Sequence, residues 1–113
     1  MPRLIKMDIE GAERLALDGM INLLDVSHPD IVIEISDRFL REMGSSAEDV
    51  CSTLLGLGYR MHVIEWDGLA PCSEWVSSLP AQFNALFVHR PLPLGLVVKA
   101  PHGTSRSLAE TVV

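Results

Sequence analysis

Basic charge is scarce in this sequence. Nine Lys and Arg stand against fifteen Asp and Glu, giving a formal net charge of -6 and an isoelectric point near 5.0. No basic stripe is present to neutralise phosphates, which argues against nucleic acid as a partner. Cysteine is scarcer still. Cys51 and Cys72 have neither the number nor the spacing of a disulfide framework or a zinc site, and they read as reduced thiols. Long hydrophobic runs are missing too, as no stretch approaches the ~20 apolar residues that span a bilayer. Met1-Pro2-Arg3 leads into a short strand-like run instead of a signal-peptide core, so the expected location is the cytoplasm. The eight glycines never form G-x-G-x-x-G.

The 113 residues are 48% apolar and 21% charged, close to ordinary globular usage, and a packed unit is expected. Leu4-Ile5-Lys6-Met7-Asp8-Ile9 is a short apolar run ending at Glu10-Gly11, the pattern of a buried strand entering a turn. From Ala12 the period changes. Ala12, Leu15, Ala16, Met20, Leu23 and Leu24 recur at helical spacing and predict an amphipathic helix, with Gly19 as a point of close approach to a sheet. Ser27-His28-Pro29 ends it, because proline disfavours helical geometry in the residue before it. Ile31 to Ile35, apolar on both faces, resembles a central parallel strand covered by helices on both sides.

A second helix is expected from Ser45 or Ser46, with a core stripe of Ala47, Val50, Cys51, Leu54 and Leu55 and a stop at Gly56 to Gly58. Residues 59–66 read as a third strand and 82–89 as a fourth. The proline-containing connection 67–82 reads as an insertion over a site, with Trp66 and Trp75 covering the sheet edge. Residues 91–113, with three prolines, read as a loose tail in which Leu94 to Val98 could pair transiently. Strand, helix, strand, helix, strand, strand implies an α/β fold with a mostly parallel sheet.

The densest set of chemical groups is Lys6-Met7-Asp8-Ile9-Glu10-Gly11-Ala12-Glu13. Three carboxylates fall there at the carboxyl end of a strand, the edge at which open α/β sheets bind ligands. Such acids can take a proton from a hydroxyl or hold a cation. Acids at a helix start also stabilise it by roughly 0.3–1 kcal/mol through the dipole alone, but Asp8 lies within the strand end, where no cap is needed. His62 reads as a structural strand residue, His28 as a loop residue, and His89 and His102 lack the spacing of a metal site.

These residues, followed by Leu17-Asp18-Gly19 and by Pro29-Asp30-Ile31-Val32-Ile33-Glu34-Ile35, resemble the second half of an FkbM-type methyltransferase. That family's pattern is an apolar strand, Lys-x-Asp-x-Glu-Gly-x-Glu, a helix reaching Leu-x-Gly, and a second strand ending in Glu. The resemblance covers roughly residues 3 to 90. It implies the C-terminal half of a class I, Rossmann-like fold ending in an antiparallel strand, and S-adenosylmethionine as cofactor for methylating a hydroxyl of a sugar, glycan, lipid or metabolite. It further implies Asp8 and Glu10 at the mouth of the acceptor pocket, with Glu13 and Glu34 next to them.

With three residues before Leu4, the cofactor-binding first half is expected to be missing from residues 1–90, and the chain is expected not to bind cofactor alone. A complementing N-terminal half or a second copy would then be a partner. A reading from another class is a non-catalytic assembly module associating through the exposed edge of the first strand. Met7 to Gly11 also faintly resembles the strand-end acid pair of magnesium-dependent phosphotransferases, but Glu10 and Ala12 depart from that pattern.

Overall fold

The computed structural model describes residues 3–75 and 77–92. Strand β1 (Leu4–Met7) is followed by helix α1 (Glu13–Ser27), strand β2 (Asp30–Ser36), the short helix α2 (Asp37–Glu42) and helix α3 (Ala47–Gly56). Strands β3 (Arg60–Glu65), β4 (Gly68–Cys72) and β5 (Gln82–Val88) complete the described chain. Among these residues no helix is long and apolar enough to cross a membrane. From residue 93 onward the expected tail, including Leu94 to Val98 and His102, lies outside the described residues.

Local chemistry sets the helix ends. The Ser46 hydroxyl accepts a hydrogen bond from the Asp49 amide at 3.0 Å, capping α3 at one of the two serines expected. Asp37 reaches across from α2, its carboxylate accepting from the Ala47 amide at 2.8 Å. That bond and the Arg41 guanidinium beside it hold the Asp37 carboxyl below its ordinary range. Helix α1 closes with His28 in a left-handed conformation, φ 49°, just ahead of Pro29.

The five strands form one sheet in the order β1-β2-β5-β3-β4. Only β1 and β2 pair in parallel; the β2–β5, β5–β3 and β3–β4 pairs are antiparallel. The expectation of a mostly parallel sheet is therefore corrected. Strands β1, β2 and β3 do point the same way, but the reversed strand β5 is inserted between β2 and β3 instead of sitting at the edge. One reversed strand thereby makes two antiparallel junctions, and the β3–β4 hairpin adds a third.

Alternation along the strands sorts the core. Ile31, Ile33 and Ile35 of β2, Phe83, Ala85 and Phe87 of β5, and Met61 and Val63 of β3 are all buried. They share one apolar cluster with Leu17, Leu24, Leu40, Val50 and Leu54 of the helices. The even-numbered residues of β2 are only partly buried, so the expectation of helices covering both of its faces gives way to one well-covered face.

Four further expectations change. The supposed insertion contains β4, where Pro71 pairs opposite His62; β4 is an edge strand, the one place a sheet tolerates a residue without an N–H. Trp66 stands 97% exposed at the β3–β4 hairpin and covers nothing, whereas Trp75 packs against the core. In α1 the core face is Glu13, Leu17 and Leu24, and Leu15 is 60% exposed. Gly19 faces open space and makes no close approach.

Candidate functional site

Parallel pairing of β1 with β2 places Met7 beside Ile33. Asp8 follows directly on β1, and Glu34 follows Ile33 on β2, facing away from the buried side of that strand. Asp8, Glu10 and Glu34 line a single cleft of about 170 Å3 together with Gly11, Ser36 and Phe39. Three of the four expected acids thus converge at the carboxyl end of the sheet.

Glu13 does not join them. It is 1% exposed and its carboxylate turns back on the β1–α1 loop, where Oε2 accepts from the Ile9 amide at 3.0 Å and Oε1 from the Gly11 amide at 3.1 Å. Loop amides at a helix start form a ready anion site. Here the protein's own carboxylate fills it. The loop between those amides is held in an unusual shape, with Glu10 at φ 52° and Gly11 at φ 103°. A Cβ on Gly11 would overlap the Phe39 carbonyl of α2, so glycine is required both for the backbone angle and for the contact with α2. Glu13 and Gly11 together fix where Asp8 and Glu10 stand.

Glu34 is fixed from the other side of the sheet. Its Oε1 accepts a hydrogen bond from Gln82 Nε2 of β5, and it lies opposite Asn84 in the β2–β5 register. Sequence reasoning missed Gln82, Ser36 and Phe39. Gln82 is 48 residues from Glu34 along the chain, and only the insertion of β5 beside β2 brings it there. Among the described residues no three His, Cys, Asp or Glu side chains are grouped to hold a metal ion.

A carboxylate cluster at two strand ends can bind a hydroxyl-bearing ligand and withdraw its proton. A family model described as the Methyltransferase FkbM domain matches residues 2–61, more than half of the chain and a span that contains Asp8, Glu10, Glu13 and Glu34. The chain belongs to the FkbM methyltransferase family. No curated protein and no solved structure matches it. Within the matched span of this FkbM methyltransferase domain member, the loop acids Asp8 and Glu10 and the β2 residue Glu34 line the same cleft.

The other reactive side chains of this FkbM member are occupied structurally. Cys51 and Cys72 are free, buried thiols; burial pushes Cys51 up to about 12 and raises Cys72 as well, leaving neither as a thiolate at neutral pH. His62 is 8% exposed, and burial lowers its pKa.

Proposed function

We propose that this FkbM-family chain forms the acceptor side of an S-adenosylmethionine-dependent O-methyltransferase and corresponds to the C-terminal half of the catalytic fold. The observation that carries this reading is the convergence of Asp8, Glu10 and Glu34 on one cleft at the carboxyl ends of parallel strands. The acceptor is a hydroxyl of a sugar, glycan, lipid or other small molecule. Asp8 and Glu34 bind adjacent hydroxyl groups as hydrogen-bond acceptors, and Glu10, on the exposed loop, takes the proton from the reacting oxygen.

The described residues do not fit the whole cofactor. A cleft of about 170 Å3 is smaller than the ~300–1,000 Å3 of sites that enclose a drug-sized ligand. Its polar lining supplies acceptors suited to hydroxyls and no apolar slot for a nucleobase. The chain is accordingly expected not to bind S-adenosylmethionine by itself.

Two measurements test the reading. Titration with a methyl glycoside, followed by amide chemical shifts, is expected to give saturable changes at Asp8, Gly11, Glu34 and Phe39 that disappear in Asp8→Asn/Glu34→Gln. Saturable changes elsewhere, or unaltered binding by the double variant, would remove the cleft as the acceptor site. Calorimetry with S-adenosylmethionine is expected to be silent, and micromolar binding would overturn the assignment to the acceptor side alone.

One observation favours a second reading, in which the chain is an assembly module. Strand β1 forms an edge of the sheet, with Leu4 60% exposed, and an unpaired edge can take a strand from a second copy or from a complementing N-terminal half. Light scattering after size exclusion checks the first of these: a monomer at high concentration counts against self-association.

A further inference from the structure

A larger cleft, about 600 Å3, opens at the opposite end of the sheet, where α1 passes into β2 and β5 ends. Arg3, His28, Asp30, His89 and Arg90 line it. The chain is acidic overall, yet this end is not. Asp30 is the one carboxylate in the lining and is engaged, its Oδ2 lying 2.6 Å from an Arg90 guanidinium nitrogen. Arg3 has no carboxylate partner among the described residues. A third guanidinium, Arg60, stands behind the cleft and donates to the His89 carbonyl at 3.1 Å.

The histidines are built into this wall. The His28 and His89 rings stack with centroids 3.8 Å apart and 17° between their planes. Tyr59 meets His89 edge-on at 4.3 Å and donates its hydroxyl to the Pro29 carbonyl at 2.7 Å, tying the ring pair to the turn between α1 and β2. Gly58 backs the same ring so closely that a Cβ would stand 2.8 Å from His89 Cε1. Despite this packing, the His89 Nε2 is buried without a hydrogen-bond partner. Guanidinium forks match phosphate oxygens in geometry and charge, and the exposed His28 ring beside them can donate a ring N–H, with the half-buried His89 as its stacking support.

We propose that this cleft binds the phosphate group of a small phosphomonoester, held by Arg3 and Arg90 against the stacked His28 and His89. The cleft volume lies within the range of small-molecule sites and leaves room for the ester's carrier beside the phosphate. Burial, the neighbouring His28 and Arg60 keep His89 below its ordinary pKa, opposed by its hydrogen bond to the Leu57 backbone and by Asp25. A bound dianion acts against that depression, so ligand binding and histidine protonation reinforce each other. The site is separate from Asp8, Glu10 and Glu34, and its test does not depend on methyl transfer.

The experiment follows the ring resonances of His28 and His89 during titration with glycerol phosphate, with inorganic phosphate, glycerol and sodium chloride at matched ionic strength as controls. Glycerol phosphate is expected to give saturable shifts at both rings and to move the His89 midpoint upward. Arg3→Gln, at an exposed residue outside every strand and helix, is expected to fold normally and to weaken binding about tenfold, the loss of one charge-assisted contact. The proposal is overturned if sodium chloride reproduces the shifts, if glycerol phosphate gives none that saturate, or if Arg3→Gln binds undiminished. Equal affinity for inorganic phosphate would overturn the assignment to an ester.

Discussion

Glu13 shows what a single side chain can do to a motif. In the sequence it is the last acid of a row that points to chemistry. In the structure it is the internal anion that holds the loop amides of Ile9 and Gly11. Replacing it with alanine strips two amides of their partner, and Glu13→Ala is expected to lower stability by about 2 kcal/mol, the cost of leaving such donors unsatisfied. Urea unfolding measures this, and the glycoside titration should weaken in parallel because Asp8 and Glu10 lose their support. Gly11→Ala is expected to act through the same loop, forcing Phe39, and α2 with it, away from the loop. The thiols make a third prediction: Cys51 and Cys72, buried and held protonated, should resist a disulfide reagent in the native protein and react on unfolding.

The position of Asp8 at the cleft was legible because its place at a strand end is a property of the local sequence. That of Glu13 was not. A carboxylate on the core face of α1 reads as solvent-exposed in any hydrophobic pattern, and it shifted the apparent stripe so that Leu15 replaced Leu17. Likewise, nothing in the spacing of His28 and His89 announces a stacked pair, since the contact depends on where β5 enters the sheet.

At the scale of elements, α3 was the most readable. Ser46, Asp49 and the Ala47, Val50, Cys51, Leu54 stripe all point to one helix, and the structure buries those four apolar residues. Ser46→Ala is expected to cost about 1 kcal/mol by removing the cap, visible as a lower urea midpoint with an unchanged slope. Helix α2 escaped notice because six residues carry less than two turns of pattern. Strand β4 was obscured by Pro71, which argues against a central strand but not against an edge. The direction of each strand's partner was the least readable property. Pairing is decided by where β5 is inserted, and the alternation within β5 is the same at an edge or in the middle.

For the whole molecule, the histidines set a pH dependence. Burial lowers the pKa of His62 and His89 from the ordinary 6.5, so the unfolded chain binds these protons more readily than the native one. Their contribution is therefore fully present above pH 6.5 and is lost as the pH falls through that value. The carboxyl of Asp37, lowered from 3.8, adds a second loss only below about pH 3.8. Thermal melts are expected to show a lower midpoint at pH 5 than at pH 7.5, and His62→Gln should flatten that difference. A profile unchanged by His62→Gln would remove His62 as a source of the effect.

The inserted strand also governs how the chain can come together. Strand β2 has no sheet neighbour on its β5 side until residues 82–88 arrive, and β3 meets the rest of the sheet through those same residues. The part of the described chain synthesised near its end is thus the one that joins β1–β2 to β3–β4. During synthesis the two pieces must wait, apolar faces open, for β5 to leave the ribosome. Pairings such as Ile35 with Phe83 close long loops and place refolding in the millisecond-to-second regime of non-local sheets.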